Sequence, residues 1–319
     1  MTSKQTYKQI CEQRPDDVPL FQQYWWLEAV CDGKKWDVAL AYDGDNIVGA
    51  MPFHFVRRMG FTFILQPQLT QFLGPLFFYG ANDTQSHRLD FEKNVVSKLI
   101  DQLEVIKPAA TIIHTSPQIV NWLPFYWRGY RQTTRYTYRI PDISDVNAVF
   151  AAFDKSKRQR KITKIEKQTS VRYDMTAADF AVFHHRYWES KGCKDLLSES
   201  FIERVCSAAI SRGQGVIGSL YDEDSKLLAA RFVAYDNHSA YSLLSAMEPT
   251  LHRSGHSETL MWELIRYLSG KTHAFDFEGS MDEGIEYFYR SFGAQQTPFF
   301  ELCKYRNSLF ELVLRNKHR

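Results

Sequence analysis

At 319 residues the chain exceeds one ordinary hydrophobic core and fits two domains of about 150 residues each. Apolar residues make up 44% and charged ones 24%, nearly balanced at a formal +2, so a folded globular protein is expected and the net charge identifies no partner. The N-terminus carries no basic stretch ahead of an apolar core, no apolar run reaches the roughly 20 residues that span a bilayer, and the five cysteines are scattered without a C-x-x-C pair; a reducing, cytoplasmic setting is expected, with no membrane span and no metal cage.

In chain order, the first clear element is a hairpin over Val38 to Phe53, reversing at Asp43-Gly44. An amphipathic helix follows from Arg88 to Ile106, then a strand from Thr111 to His114, the segment PFYWRGYRQ over Pro124 to Gln132, and a strand from Thr134 to Ile140. A basic segment opens the second half, and a helix is expected over Phe201 to Arg212. Val216 to Val233 then repeats the hairpin, with its turn at Asp222-Glu223-Asp224. A second amphipathic helix spans Ser257 to Leu268, with Leu260, Met261, Leu264, Ile265 and Leu268 along one side. After it come a strand over His273 to Glu278, the segment YFYRSFGAQ over Tyr287 to Gln295, and a strand over Phe299 to Tyr305. Hairpin, helix, strand, Tyr- and Phe-rich segment and strand thus occur twice in the same order. Two copies of one α/β domain with a mixed sheet are expected, residues 1–140 and 141–319, joined near Pro141.

The second half resembles the GNAT acyltransferase domain, and the whole chain resembles the tandem-GNAT group that includes the Fem peptidyl transferases. PLFQQYWWLEAV, Pro19 to Val30, is similar to the tryptophan-bearing helix that opens this group. FAAFDKSKRQRKITKIEKQTSVRY, Phe150 to Tyr173, resembles its basic helix and strand, and FDFEGSMDEGIEYFYRSFGA, Phe275 to Ala294, resembles its strand, small-residue loop and helix ending in Phe-Gly. No heptad arm interrupts the second half.

The resemblance implies a donor pyrophosphate held on backbone N–H groups at a helix N-terminus, where unpaired donors and the helix dipole favour an anion. HRSGHSETL occupies that place, with Arg253, Ser254, Gly255, His256 and Ser257 as the expected contacts, although His252 and Ser257 depart from the family pattern; a plain N-capped helix start is the alternative. The first half lacks the matching glycine spacing, so its cofactor site is expected to be lost. Tyr289, just ahead of Phe292-Gly293, stands where the family's proton-donating tyrosine stands, or is a core aromatic. Asp276 and Glu278 alternate with phenylalanines and would share a strand face; Glu278 is the expected base or amine-binding carboxylate, or both acids are a solvated pair. The span from Lys155 to Lys167 carries seven basic residues, of which Lys157, Arg158 and Lys161 are expected phosphate or tRNA contacts unless the helix is simply solvated.

GQGVIG, Gly213 to Gly218, matches a dinucleotide fingerprint but follows a helix and opens a strand, the reverse of what that site needs. The resulting expectation is an acyltransferase that moves an acyl group from acyl-CoA, or an aminoacyl group from aminoacyl-tRNA, onto an amine, a small molecule or a cell-wall or peptide precursor. A non-catalytic binding protein on the same fold is the rival.

Overall fold

The computed structural model describes the chain except residues 1, 81–83, 193–195, 252–254, 280 and 316–319, with 313–315 described by backbone only. Through the first half the elements are α1 (Ser3–Gln13), α2 (Tyr24–Val30), β1 (Trp36–Asp43), β2 (Asn46–Arg58), β3 (Phe61–Ile64), β4 (Leu76–Phe77), α3 (Gln85–Val105), β5 (Ala110–His114), α4 (Leu123–Tyr126) and β6 (Arg131–Ile140). The second half continues with α5 (Val146–Ala152), a π-helical turn over Lys155–Gln159, α6 (Arg160–Glu166), β7 (Thr169–Arg172), α7 (Ala177–Ser190), α8 (Glu199–Ile210), β8 (Gly215–Asp222), β9 (Leu227–Tyr235) and β10 (Ser239–Met247). It closes with α9 (His256–Leu268), β11 (Ala274–Asp276), α10 (Glu283–Arg290), β12 (Gln295–Tyr305) and α11 (Ser308–Arg315). Among the described residues, no helix is long and apolar enough to cross a membrane.

The chain forms two compact units, 1–135 with 298–319, and 136–297. In unit 1, β1 and β2 form the expected hairpin, Trp36 opposite His54 and Asp43 opposite Asn46. Gly44, at φ +57, supplies the left-handed turn residue that the tight reversal requires. β2 runs antiparallel to β3, β3 parallel to β5, and β5 antiparallel to β12. Helix α3 makes the crossover between the parallel strands. Its Val95, Val96, Leu99, Ile100 and Leu103, at helical spacing, enter a core with Met51, Phe53, Ile64 and Ile113.

Unit 2 repeats this plan. β7, β8, β9 and β10 are successively antiparallel, β10 is parallel to β11 across the helical crossover α9, and β11 is antiparallel to β6. All five apolar residues expected on one side of α9 are buried, in a core shared with Val216, Leu220, Ala229 and Val233. The glycines of GQGVIG have a packing role here. A Cβ at Gly215 would lie 2.6 Å from the Cβ of Ala209, and one at Gly218 would lie 3.0 Å from Leu264 Cδ2, so β8 can lie close to α8 and α9 only where side chains are missing.

The last strand of each sequence repeat pairs in the unit built mainly from the other. β6, which ends the first repeat, sets Ile140 opposite Phe275 and Arg139 opposite Asp276 in unit 2. β12, which ends the second, sets Glu301 opposite His114 and Tyr305 opposite Ala110 in unit 1. The units therefore divide inside β6 and inside β12, whereas the sequence reading sets the joint near Pro141 and keeps residues 298–319 with the second half.

Candidate active site

In unit 2 the parallel pair β10–β11 is registered only through Ser239–Ala274, Ala240–Phe275 and Tyr241–Asp276. Beyond that point the strands part. The Phe277 N–H donates instead to the Tyr138 carbonyl on β6 at 2.9 Å, and β10 changes register against β9 between Ser242 and Leu244. A gap at the carboxyl ends of parallel strands exposes backbone and side chains from both sides, and is where an open α/β sheet accommodates a ligand.

Asp276 ends β11 and is buried. It accepts hydrogen bonds from the Thr137 hydroxyl and from the Glu278 N–H, the latter at 2.8 Å, and Arg139 Nε lies 3.5 Å from its other oxygen. This set of contacts anchors the carboxylate structurally. The expected strand to Glu278 stops two residues short, so the two acids do not share a face by strand alternation. Glu278 instead takes a left-handed backbone, φ +69, uncommon for a residue with a side chain and a form of strain that gathers at functional sites. Its Oε1 is buried with no hydrogen-bond partner. Burial, and after it the charge of Asp276, push the Glu278 carboxyl well above its ordinary value. Gly279 follows because nothing larger fits: a Cβ there would lie 2.2 Å from the Tyr136 carbonyl oxygen.

Tyr289 projects from α10, its ring 5.4 Å from that of Phe277 and 6.2 Å from that of Tyr138. Burial raises its hydroxyl, Arg231 pulls it down, and Glu278 and Asp276 raise it, so this phenol stays protonated at neutral pH. Arg231 escaped the sequence reading. It lies on β9 within an apolar run, Leu227 to Tyr235, and is 7% exposed. One guanidinium nitrogen donates to Ser242 Oγ at 2.6 Å and another to Ser257 Oγ at 3.2 Å, while burial lowers its pKa to about 10. The signal available in the sequence was the charge itself, since an ionised group in the middle of a buried strand is costly and needs a reason.

Helix α9 starts at Gly255, at φ +93, and no side chain caps it. Its equivalent in unit 1, α3, is capped by Thr84, whose hydroxyl accepts from the His87 N–H at 3.3 Å. The first turn of α9 thus keeps its backbone donors clear of a side-chain cap, as a phosphate site requires. Ser257 meets Arg231, burial lowers the His256 pKa, and Arg253 and Ser254 lie outside the described residues.

The basic segment is less available than its density suggests. Arg158 is buried; it donates to Glu258 at 2.8 Å and to Ser291 Oγ at 2.6 Å, and lies over the Phe288 and Phe292 rings at 4.6 and 5.3 Å. The charge of Arg158, expected as a phosphate contact, is thus already paired with Glu258 inside the unit. Lys157 binds the Tyr287 hydroxyl and lies 4.5 Å from that ring's centre. Lys161 Nζ is 3.7 Å from Glu258 and its side chain is 42% exposed, so it remains within reach of an anion at the start of α9.

Residues 154–289 match the family model described as the acetyltransferase (GNAT) domain, and the chain has the tandem GNAT fold. Among solved structures it is similar to FemX, at 12% identity and a TM-score of 0.70, covering 94% of this chain and 96% of that one. It is also similar to L-PGS from Bacillus licheniformis, at 12% identity and a TM-score of 0.58 over 98% of this chain and 96% of that one. A tandem GNAT protein from the clavulanic acid biosynthesis pathway matches at 7% identity and a TM-score of 0.51, over 96% and 95%. No curated protein matches the chain by sequence.

Proposed function

We propose that the protein is an N-acyltransferase whose chemistry lies in unit 2, at the gap beyond Tyr241 and Asp276. The observation that carries this reading is the Tyr289 phenol, set where both the Arg231 cation and the Glu278 carboxyl act on it. The donor, when bound, supplies the acyl group on an activated thioester or ester. Gly255, the uncapped first turn of α9, Ser257 and Lys161 fit its phosphate, with acyl-CoA as the first candidate and aminoacyl-tRNA as the other. The capped start of α3 supports a single donor site per chain.

In this reading an arriving ammonium gives one proton to Glu278 and becomes the free amine. Burial, which raises the carboxyl above its ordinary value, makes the ionised Glu278 a stronger base than an exposed carboxylate. The C–N bond forms as the bond from the acyl carbon to the leaving sulfur or oxygen breaks. Tyr289 gives its proton to the leaving atom, and the second amine proton restores the phenol. Asp276, held by Thr137 and the Glu278 N–H, positions Glu278.

The test is mass spectrometry for amide product after incubation with acetyl-CoA, or separately with aminoacyl-tRNA, and a panel of amines. Turnover is expected with one donor class and should fall by roughly 100-fold in Tyr289→Phe and in Glu278→Gln. Product from neither donor, or turnover unchanged in both variants, overturns the reading.

A further inference from the structure

Arg231 and Glu278 present complementary demands. The guanidinium of Arg231 is buried and, among the described residues, donates to the hydroxyls of Ser242 and Ser257, which satisfy N–H groups but carry no charge. Among the described residues no carboxylate is bonded to it. Glu258, the acid whose field reaches it, is itself bonded to Arg158. Glu278 has the opposite need, a carboxyl oxygen buried without a donor. An uncompensated buried charge costs folding free energy and is tolerated where a ligand supplies its partner.

The two groups lie at one end of one strand pair. Ser242, which holds Arg231, follows Tyr241, and Tyr241 pairs with Asp276, two residues before Glu278. Both charges also reach the Tyr289 phenol. A guanidinium is a planar fork that matches a carboxylate with two parallel hydrogen bonds. A carboxyl with a free oxygen matches an amine.

We propose that the acceptor is an amino acid or a molecule ending in one, its carboxylate on Arg231 and its amine toward Glu278, so that the product is an N-acyl amino acid. This rests on the acyl-transfer reading above and names its substrate class. Ser242 and Ser257 are positioning residues: they fix the guanidinium and touch no reacting atom.

The test is thermal shift and calorimetry on the full chain with the proteinogenic amino acids at millimolar concentration, each beside its amide, its N-acetyl derivative and inorganic phosphate. At least one amino acid should stabilise the wild type, with its amide and its N-acetyl derivative binding at least about 10-fold more weakly. Arg231→Gln should bring the acid down to the level of its amide, and Arg231→Lys should keep part of the preference. The inference is overturned if no amino acid binds, if the amide binds as well as the acid, or if phosphate binding is what Arg231→Gln removes. Should Arg231→Gln not fold, the acid-against-amide comparison on the wild type still decides. Amide formation on amines without a carboxylate would sink this inference and leave acyl transfer standing; selective amino-acid binding with no product from either donor would leave the amino-acid site standing and sink acyl transfer, and with it the N-acyl product.

Discussion

Glu278 keeps its carboxyl buried with one oxygen unpaired, so ionising it is harder in the folded chain than in the unfolded one. A raised folded pKa means that the folded state holds its proton more tightly. The contribution is fully present below the unfolded value of about 4.3 and is lost as pH rises toward the folded value. Glu278→Gln removes this penalty without changing shape. We expect the variant to gain stability relative to wild type between pH 4 and pH 8, read as a melting-temperature difference that grows with pH. A difference independent of pH would show that the carboxyl is not buried. The sequence offered Tyr289 as a candidate through the resemblance of its segment, and Asp276 and Glu278 through their alternation with phenylalanines. It could not reveal the role of Arg158, since a run of seven basic residues reads as a solvated surface and its partner Glu258 lies 100 positions away.

At the scale of elements, periodicity made the hairpins and α9 legible, because apolar residues at spacings of two or three to four mark the faces that must be buried. The end of β11 was not legible. Phe275 and Phe277 continue the alternation past Asp276, but the Phe277 N–H pairs with β6 and Glu278 turns left-handed, and neither event changes the residue pattern. Gly279 fixes where that departure occurs. In Gly279→Ala the new Cβ would lie 2.2 Å from a backbone oxygen, which no side-chain rotation relieves. The β6–β11 edge must then shift. We expect a loss of about 3 kcal/mol or more in denaturant unfolding, and faster hydrogen exchange at Phe277 than elsewhere in unit 2. A loss below about 0.5 kcal/mol would mean that the approach of Gly279 to Tyr136 is not tight in solution.

For the whole molecule, the repeat in the sequence announced two copies of one fold, and each unit carries the expected hairpin and crossover. What the repeat concealed is which unit each final strand completes, because pairing partners leave no mark in the spacing of apolar residues. Removing residues 298–319 takes most of β12 and leaves the β5 edge of unit 1 unpaired, while the β6–β11 pairing of unit 2 stays intact. Hydrogen exchange on a chain ending at Thr297 should therefore show β5 and β3 losing protection while β9 and β10 keep theirs. Uniform loss across both units would mean that they unfold as one. The same exchange sets an order of events at the ribosome. By the time β11 is made, the strand that borders it has already emerged, so unit 2 can close as soon as its own residues are out. Unit 1, begun first, stays open at the β5 edge until Tyr305 appears, a wait of roughly 10–30 s at ordinary elongation rates. Nascent chains of this protein should therefore hold the earlier half open, and in need of a chaperone, until the later half is almost complete.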